Sequence, residues 1–396
     1  MKNLDLPHLG DRLRSREGLG EQTAPLTRES LGANRFGEYI VMNRAHQLVS
    51  RRTLLMNSAV SAAGLSFCSD RIAGAIRGSV AGSIDKAQIA ITIDLEMARN
   101  YPTWQDTHWD YEKGNLDEDT KRYAVEAARR VRQKGGKIHF FAVGRVFEQE
   151  NLEWLKQIAS MGHSIGNHTY DHVNIRASRL EALQPRFRRA PWLIHGKTPP
   201  EVIADNIRMT ALAMKERLGI EPSGFRSPGG YPDGLTGYQE VQQLLLDQGF
   251  SWASVQYVSH PTGAPGYSPQ FTEERQQEPP PEIYDAILKA QAKSQPFVYP
   301  SGLIEIPMCP VSDLIAFRTG RWKLPHFLKA IRDVVTQAIA QHAVFVFLGH
   351  PSCLSVMDPQ FQTVELICDL VNQSQSQAQI VDLETIAQGV KKAQRQ

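Results

Sequence analysis

The sequence predicts an α/β protein whose parallel sheet is rolled into one barrel-like domain. Three observations carry that expectation. From Gln88 onward, short apolar runs alternate with longer stretches of helical period, the pattern of repeated βα units. Gly135-Gly136, Gly162, Gly219 and Gly249 stand just past the helical stretches, where a left-handed C-cap belongs. About seven or eight such units follow one another with no linker, repeat or low-complexity tract between them, which favours one barrel over two domains.

Strands are expected at Gln88–Asp94, Lys137–Val143, His163–Asn167, Gly224–Arg226, Ser251–Val255, Leu303–Ile306, Ala343–Leu348 and Ile380–Leu383. Helices are expected at Glu118–Lys134, Asn151–Met161, Pro200–Leu218, Tyr238–Gln248, Leu324–His342, Gln360–Asn372 and Glu384–Lys392. One insertion, at about 260–300, is rich in Pro, Gln and Glu and contains Pro279-Pro280-Pro281. Connections of that length are usually lids, binding loops or disorder, so a partly ordered surface excursion is expected.

Composition narrows the partners. With 396 residues, 41% of them hydrophobic, the chain can bury a sizeable core. A net charge of +2 supplies no long-range field to draw a nucleic acid, and none is expected as a partner. Cys68, Cys309, Cys353 and Cys368 form no Cys-x-x-Cys, which excludes a cysteine zinc cluster and offers no disulfide framework. No apolar run reaches the roughly 18 residues that a spanning helix needs, so no stable membrane span is expected.

The first 75 residues read as an address. Residues 1–41 are polar and rich in Gly and Arg, as in a disordered leader or sequence upstream of a true start at Met42. Ser50-Arg51-Arg52-Thr53-Leu54-Leu55, a modestly apolar stretch through Phe67, and Ala73-Gly74-Ala75 then resemble a Tat-type signal over 42–75. Cleavage after Ala75 would leave an exported protein, in the periplasm or cell envelope. Bulky Phe67 before Cys68 argues against a lipoprotein. The remaining chain, 86–396, is expected to be one catalytic domain.

Four segments carry chemistry. Ala90-Ile91-Thr92-Ile93-Asp94-Leu95-Glu96 is an apolar strand ending in two carboxylates, which period-two alternation turns the same way at the carboxyl end. In βα architectures that end is where sites are built. His168-Thr169-Tyr170-Asp171-His172 places two imidazoles four residues apart, and with one carboxylate they complete a zinc site whose remaining position holds water. Asp171 and Thr169 read as supports rather than ligands. Gly224-Phe225-Arg226-Ser227-Pro228 brings an arginine off a strand, able to reach a carboxylate and orient it. An apolar strand from Ala343 delivers His350, which can give a proton to a leaving group. The first three segments, standing alone, also have structural readings: a solvated acid pair, a helix-surface histidine pair and an ion pair.

Taken together and in order, these motifs resemble the polysaccharide deacetylase family (NodB homology, carbohydrate esterase family 4) over about residues 86–390. Thr92–Asp94 resembles the first motif, His168-Thr169-x-x-His172 the His-Ser/Thr-x-x-His motif, Arg226-x-Pro228 the Arg-x-Pro motif, and Leu348-x-His350 the final Leu-x-His motif. The resemblance implies a distorted, TIM-barrel-like (β/α) barrel of about seven βα units. It also implies one divalent metal, usually zinc, with cobalt, nickel or manganese also suiting the ligand set.

The implied reaction is removal of acetyl groups from an N-acetylated glycan or cell-wall polymer. The family's usual adjacent Asp-Asp is here Asp94-Leu95-Glu96, as in a variant branch that includes some peptidoglycan deacetylases and allantoinase-like amidases. By analogy Asp94 is the base, Arg226 its partner, His350 the acid, and Glu96, His168 and His172 the metal ligands. The reversed assignment of Asp94 and Glu96 stays open. Two other functions remain: an allantoinase-like amidohydrolase on a small amide or ureide, and an exported carbohydrate-binding protein without catalysis.

Lesser candidates complete the expectation. Tyr101, Trp104, His108, Trp109 and Tyr111 follow the first strand and could stack on sugar faces or form a structural cap. Trp252 is a candidate pocket wall, with a core position as the simpler reading. Arg318 and Arg321 are candidates for a charged substrate group. The other histidines read as structural or exposed.

Overall fold

Strand β1 (Ala87–Leu95) is buried at every position except Gln88, as a parallel strand covered on both faces must be. The computed structural model describes residues 85–97, 113–258, 260 and 278–395. The leader, the Tat-type segment, the aromatic residues 101–111 and most of the 260–277 stretch lie outside them.

After β1 the chain forms α1 (Glu118–Gln133), β2 (Ile138–Ala142), α2 (Glu153–Ser160) and β3 (Ser164–Asn167). A short α3 (Pro185–Arg189) precedes the long α4 (Pro199–Leu218), then β4 (Phe225–Tyr231), α5 (Gln239–Asp247) and β5 (Trp252–Gln256). The second half comprises α6 (Pro281–Lys293), β6 (Phe297–Val298), β7 (Ile304–Glu305), α7 (Leu324–Ala340) and β8 (Val344–Gly349). It ends with α8 (Pro351–Met357), α9 (Gln362–Gln373), β9 (Ala378–Ile380) and α10 (Leu383–Gln394).

Local chemistry sets the boundaries. Asp117 caps α1 by accepting the Thr120 amide at 2.8 Å, and Glu118 and Asp119 fill its first turn, where the helix dipole favours negative charge. A capping box between Thr198 and Glu201 opens α4, and Gly219 closes it at φ 69°. Gly135, Gly162 and Gly249 also take positive φ, as their places after helices predicted.

The sheet runs β6-β7-β5-β4-β3-β2-β1-β8, parallel except for the β6–β7 pair, and curls into a half-barrel with helices around it. One edge of β1 pairs with β8; the other is shared, β2 taking Ile91–Leu95 and β9 taking Ala87–Ile89. Period two then sorts the side chains. Ile89, Ile91, Ile93 and Leu95 face the helices, in a core with Ala124, Ala127, Phe327 and Ile331. Ala90 faces the concave side, with Phe141, Trp252, Ile304 and Val346, over a floor of Leu383, Ile386, Ala387 and Val390 from α10. Thr92, Asp94 and Glu96 continue that concave face upward.

The structure corrects two expectations and decides a third in favour of its simpler reading. The strand read at Ile380–Leu383 is Ala378–Ile380, and Leu383 instead opens α10, because Asp382 accepts the Thr385 amide at 3.0 Å as an N-cap. The 260–300 insertion is no surface excursion over its described second half: α6 buries Ile283, Tyr284 and Ile287 in the main core. Trp252 is 1% exposed in the concave core and donates its indole N–H to Glu384 at 2.7 Å, so it packs rather than lines a pocket. Cys309, Cys353 and Cys368 are free and buried.

Candidate active site

The alternation of β1 brings Thr92, Asp94 and Glu96 up one wall of the hollow, at the carboxyl ends of the strands. All three are buried. From the next strands come His168 at the exit of β3, Arg226 in β4 and His350 just past β8. The six candidates converge.

Glu96 is the hub. Its Oε1 lies 3.4 Å from His168 Nε2, 3.2 Å from His172 Nε2 and 3.4 Å from His350 Nε2. Its Oε2 is ion-paired to Lys113, a residue outside every motif. Burial alone would raise this carboxyl, but the Lys113 ammonium and the two imidazoles outweigh it and hold the group well below the usual carboxylate range.

The two histidines do not meet across a helical turn. They meet because Thr169 and His172 both adopt left-handed backbone, at φ 57° and 58°. That conformation is costly for a β-branched residue and persists only where its surroundings fix it. The surroundings do: the Asn167 side chain accepts the Thr169 amide at 2.9 Å, Thr169 Oγ1 accepts the Val173 amide at 3.0 Å, and the Thr169 carbonyl accepts from Gly144 at 2.8 Å. The imidazole rings sit 5.0 Å apart. Thr169 and Asp171 are supports, as expected, Asp171 being ion-paired to Arg186.

The donor set fits a divalent metal ion. Glu96, His168 and His172 offer atoms within 4.8 Å of one another. His168 Nδ1 lies 2.9 Å from the Arg226 carbonyl, which can only accept, so Nδ1 carries the hydrogen and Nε2 is the ring nitrogen that faces the cluster. His172 Nε2 is buried with no hydrogen-bond partner, the condition of a ligand atom. Burial, with the Lys113 charge adding to it, pulls His172 down to about 4, so this imidazole is neutral at neutral pH. One carboxylate oxygen and two imidazole nitrogens suit zinc.

Arg226 works from below. Fully buried over the Phe141 ring, it donates to Asp94 Oδ1 at 3.0 Å, to Thr92 Oγ1 at 2.6 Å and to Ser254 Oγ at 3.2 Å. Asp94 is thereby fixed with Oδ2 at 3.8 Å from His168 Nε2. The path of β4 into this position needs Gly224 at φ 72°, where a Cβ would stand 1.9 Å from the Trp252 ring.

His350 has a partner that no motif announced. Asp313 accepts the His350 amide at 2.7 Å and its Nδ1–H at 2.8 Å, from the foot of a π-helical turn spanning Leu314–Thr319. Burial would lower this imidazole. Asp313, and Glu96 beyond it, push it up to about 10, so it is an imidazolium at neutral pH.

Arg318 lies in the same π-helical turn and is buried, 4% exposed. Arg321 is half-buried, with left-handed backbone at φ 56°. His139 and His163 are structural, each bonded through both ring nitrogens to backbone.

Residues 112–247 match the family model described as polysaccharide deacetylase, a segment that holds His168, His172 and Arg226 but neither the β1 acids nor His350. No curated protein matches the chain. Among solved structures, an allantoinase (Puue Allantoinase) is similar at 12% identity and TM-score 0.51, covering 82% of this chain and 97% of its own. A polysaccharide deacetylase from Mycobacterium smegmatis gives 16% identity and TM-score 0.48, covering 78% and 92%. A polysaccharide deacetylase from Pseudomonas aeruginosa PAO1 gives 11% and 0.49, covering 77% and 91%. The likeness to the allantoinase shows the fold. Residues 112–247 thus carry the likeness to the polysaccharide deacetylases, a family of hydrolases, and the half-barrel they help to build is the fold shared with the allantoinase.

Proposed function

We propose that the chain is a metal-dependent deacetylase that hydrolyses the acetamide of an N-acetylated glycan or peptidoglycan. The convergence of an acid pair, an imidazole pair, a buried arginine and an imidazolium on one hollow supports this reading. Glu96, His168 and His172 would hold the ion, with zinc the best fit. When bound, it polarises the acetamide carbonyl and lowers the pKa of the attacking water.

The rest belongs to this chain's own residues. Asp94, held by Arg226, takes the proton from the water. His350, kept protonated by Asp313, gives its proton to the leaving nitrogen as the carbon–nitrogen bond breaks. The buried floor of Phe141 and Trp252 excludes bulk water from beneath, which strengthens each charge interaction above it. The experiment is acetate release from N-acetylglucosamine oligomers and from peptidoglycan, with and without a chelator. Release that is abolished by chelation and restored by zinc supports the reading. Absence of chelator-sensitive release from any glycan rejects it.

A second reading, hydrolysis of a small amide or ureide, draws on the Asp-x-Glu spacing and on how deeply the site groups are buried, Glu96 at 6% and His168 at 1% exposed. Turnover of allantoin-like ureides but not of glycans would select it. We also propose export by the Tat route, on the strength of Arg51-Arg52 and Ala73-Gly74-Ala75. Replacing both arginines by lysine should leave the protein in the cytoplasm.

A further inference from the structure

Lys113 stands outside every motif, yet it is 1% exposed and its ammonium lies against the carboxylate at the centre of the site. The two oxygens of Glu96 are divided: Oε1 faces three imidazoles, and Oε2 faces Lys113. The lysine is not there by side-chain chance. The Gly114 amide donates to the Glu96 carbonyl at 2.5 Å, clipping the backbone beside Lys113 to the end of β1. Gly114 itself is at φ 88°, where a Cβ would meet Arg145 Cβ at 2.3 Å, and its carbonyl accepts from Gln149 at 3.1 Å. The backbone therefore presents this cation to Glu96.

We propose that Lys113 is a positioning residue that sets how tightly the site holds its metal, by acting as a built-in competitor for Glu96. This rests on the metal reading above. The ammonium neutralises the buried carboxylate when no ion is bound, and it keeps Oε2 engaged so that Glu96 offers Oε1 alone. A divalent ion arriving at Oε1 shares the carboxylate with a fixed positive charge, and like charges at this range repel strongly in a buried site. The metal is consequently exchangeable rather than locked in.

Calorimetric titration of Zn2+ into the metal-stripped full chain tests this, comparing Lys113→Arg, Lys113→Gln and Lys113→Met with the parent. Arginine keeps the charge and should bind zinc within about threefold of the parent. Both neutral variants should bind at least about tenfold more tightly and release zinc to a chelator more slowly. Glutamine keeps a hydrogen-bond donor for Oε2 and so guards against misfolding of the methionine variant, with circular dichroism as the check. Neutral variants that bind zinc as the parent does, or more weakly, would overturn the role of Lys113. Absence of zinc binding in the parent and all three variants would overturn the metal reading itself.

Discussion

Asp313 holds His350 through both its backbone amide and its Nδ1. Asp313→Asn keeps the hydrogen-bond acceptor for His350 Nδ1 but removes the charge that raises the imidazole to about 10. A general acid must be protonated before it donates, so the alkaline limb of the activity profile should move to lower pH. At pH 8, kcat/KM should fall on the order of 100-fold, with KM little changed. An unshifted limb in a pH–rate titration would reject this. His168→Ala should abolish metal retention, read as metal content of the purified protein; content equal to the parent would contradict its role as a ligand. His168, His172, Arg226 and His350 were legible because each stands in a short motif at a strand exit. Asp313 and Lys113 were not, since one lies 37 residues from its histidine and the other 17 from its glutamate, separations fixed only by tertiary structure.

The secondary elements show the same division. Helix α6 was missed although its pattern was present: Ile283, Tyr284, Ile287, Ala290 and Gln291 make one buried stripe at helical spacing. The surrounding Pro, Gln and Glu hid it, and Pro281 at the first turn is a helix start rather than a breaker. Ile287→Ala should cost about 2–5 kcal/mol, seen as a lower urea midpoint at unchanged slope. A cost near zero would mean that α6 is surface after all. At β9, apolar character alone mistook Val381-Asp382-Leu383 for strand; the decisive fact is the Asp382 cap. Strands β1, β2, β5 and β8 were read to within a residue because burial on both faces demands nearly unbroken apolar runs, whereas the short β6, inside the Pro-rich stretch, was not read at all.

Across the whole molecule, buried imidazoles make stability depend on pH, and His139 and His163 are the two that lie outside the site. His139 accepts from the Leu383 amide at Nδ1 and donates to the Ser223 carbonyl at Nε2, so it is satisfied only when neutral. Burial pushes it down to about 4, and His163, bonded likewise to Ile138 and Ala128, also to about 4. Below pH 6.5 the unfolded chain takes up protons that the folded protein refuses. Stability should therefore fall between pH 6.5 and 4 and level off beneath, with His139 accounting for at most about 3 kcal/mol and His163 for a smaller share. Urea unfolding at pH 7 and 4.5 measures it, and His139→Gln should flatten the difference; an equal difference in both proteins would reject the assignment.

The pairing of β1 with three other strands, β2, β8 and β9, has a kinetic corollary. The Thr92 hydroxyl bonds the Phe347 carbonyl across 255 residues of chain, and all of β8 joins β1 over comparable separations. A nascent polypeptide emerging from the ribosome carries an apolar strand with one raw edge until nearly the whole domain has been synthesised. Contacts that distant form late and slowly, and an uncovered edge invites another chain to pair with it. Fragments ending before Val344 should thus aggregate rather than fold, and chaperone demand during synthesis should concentrate on that interval.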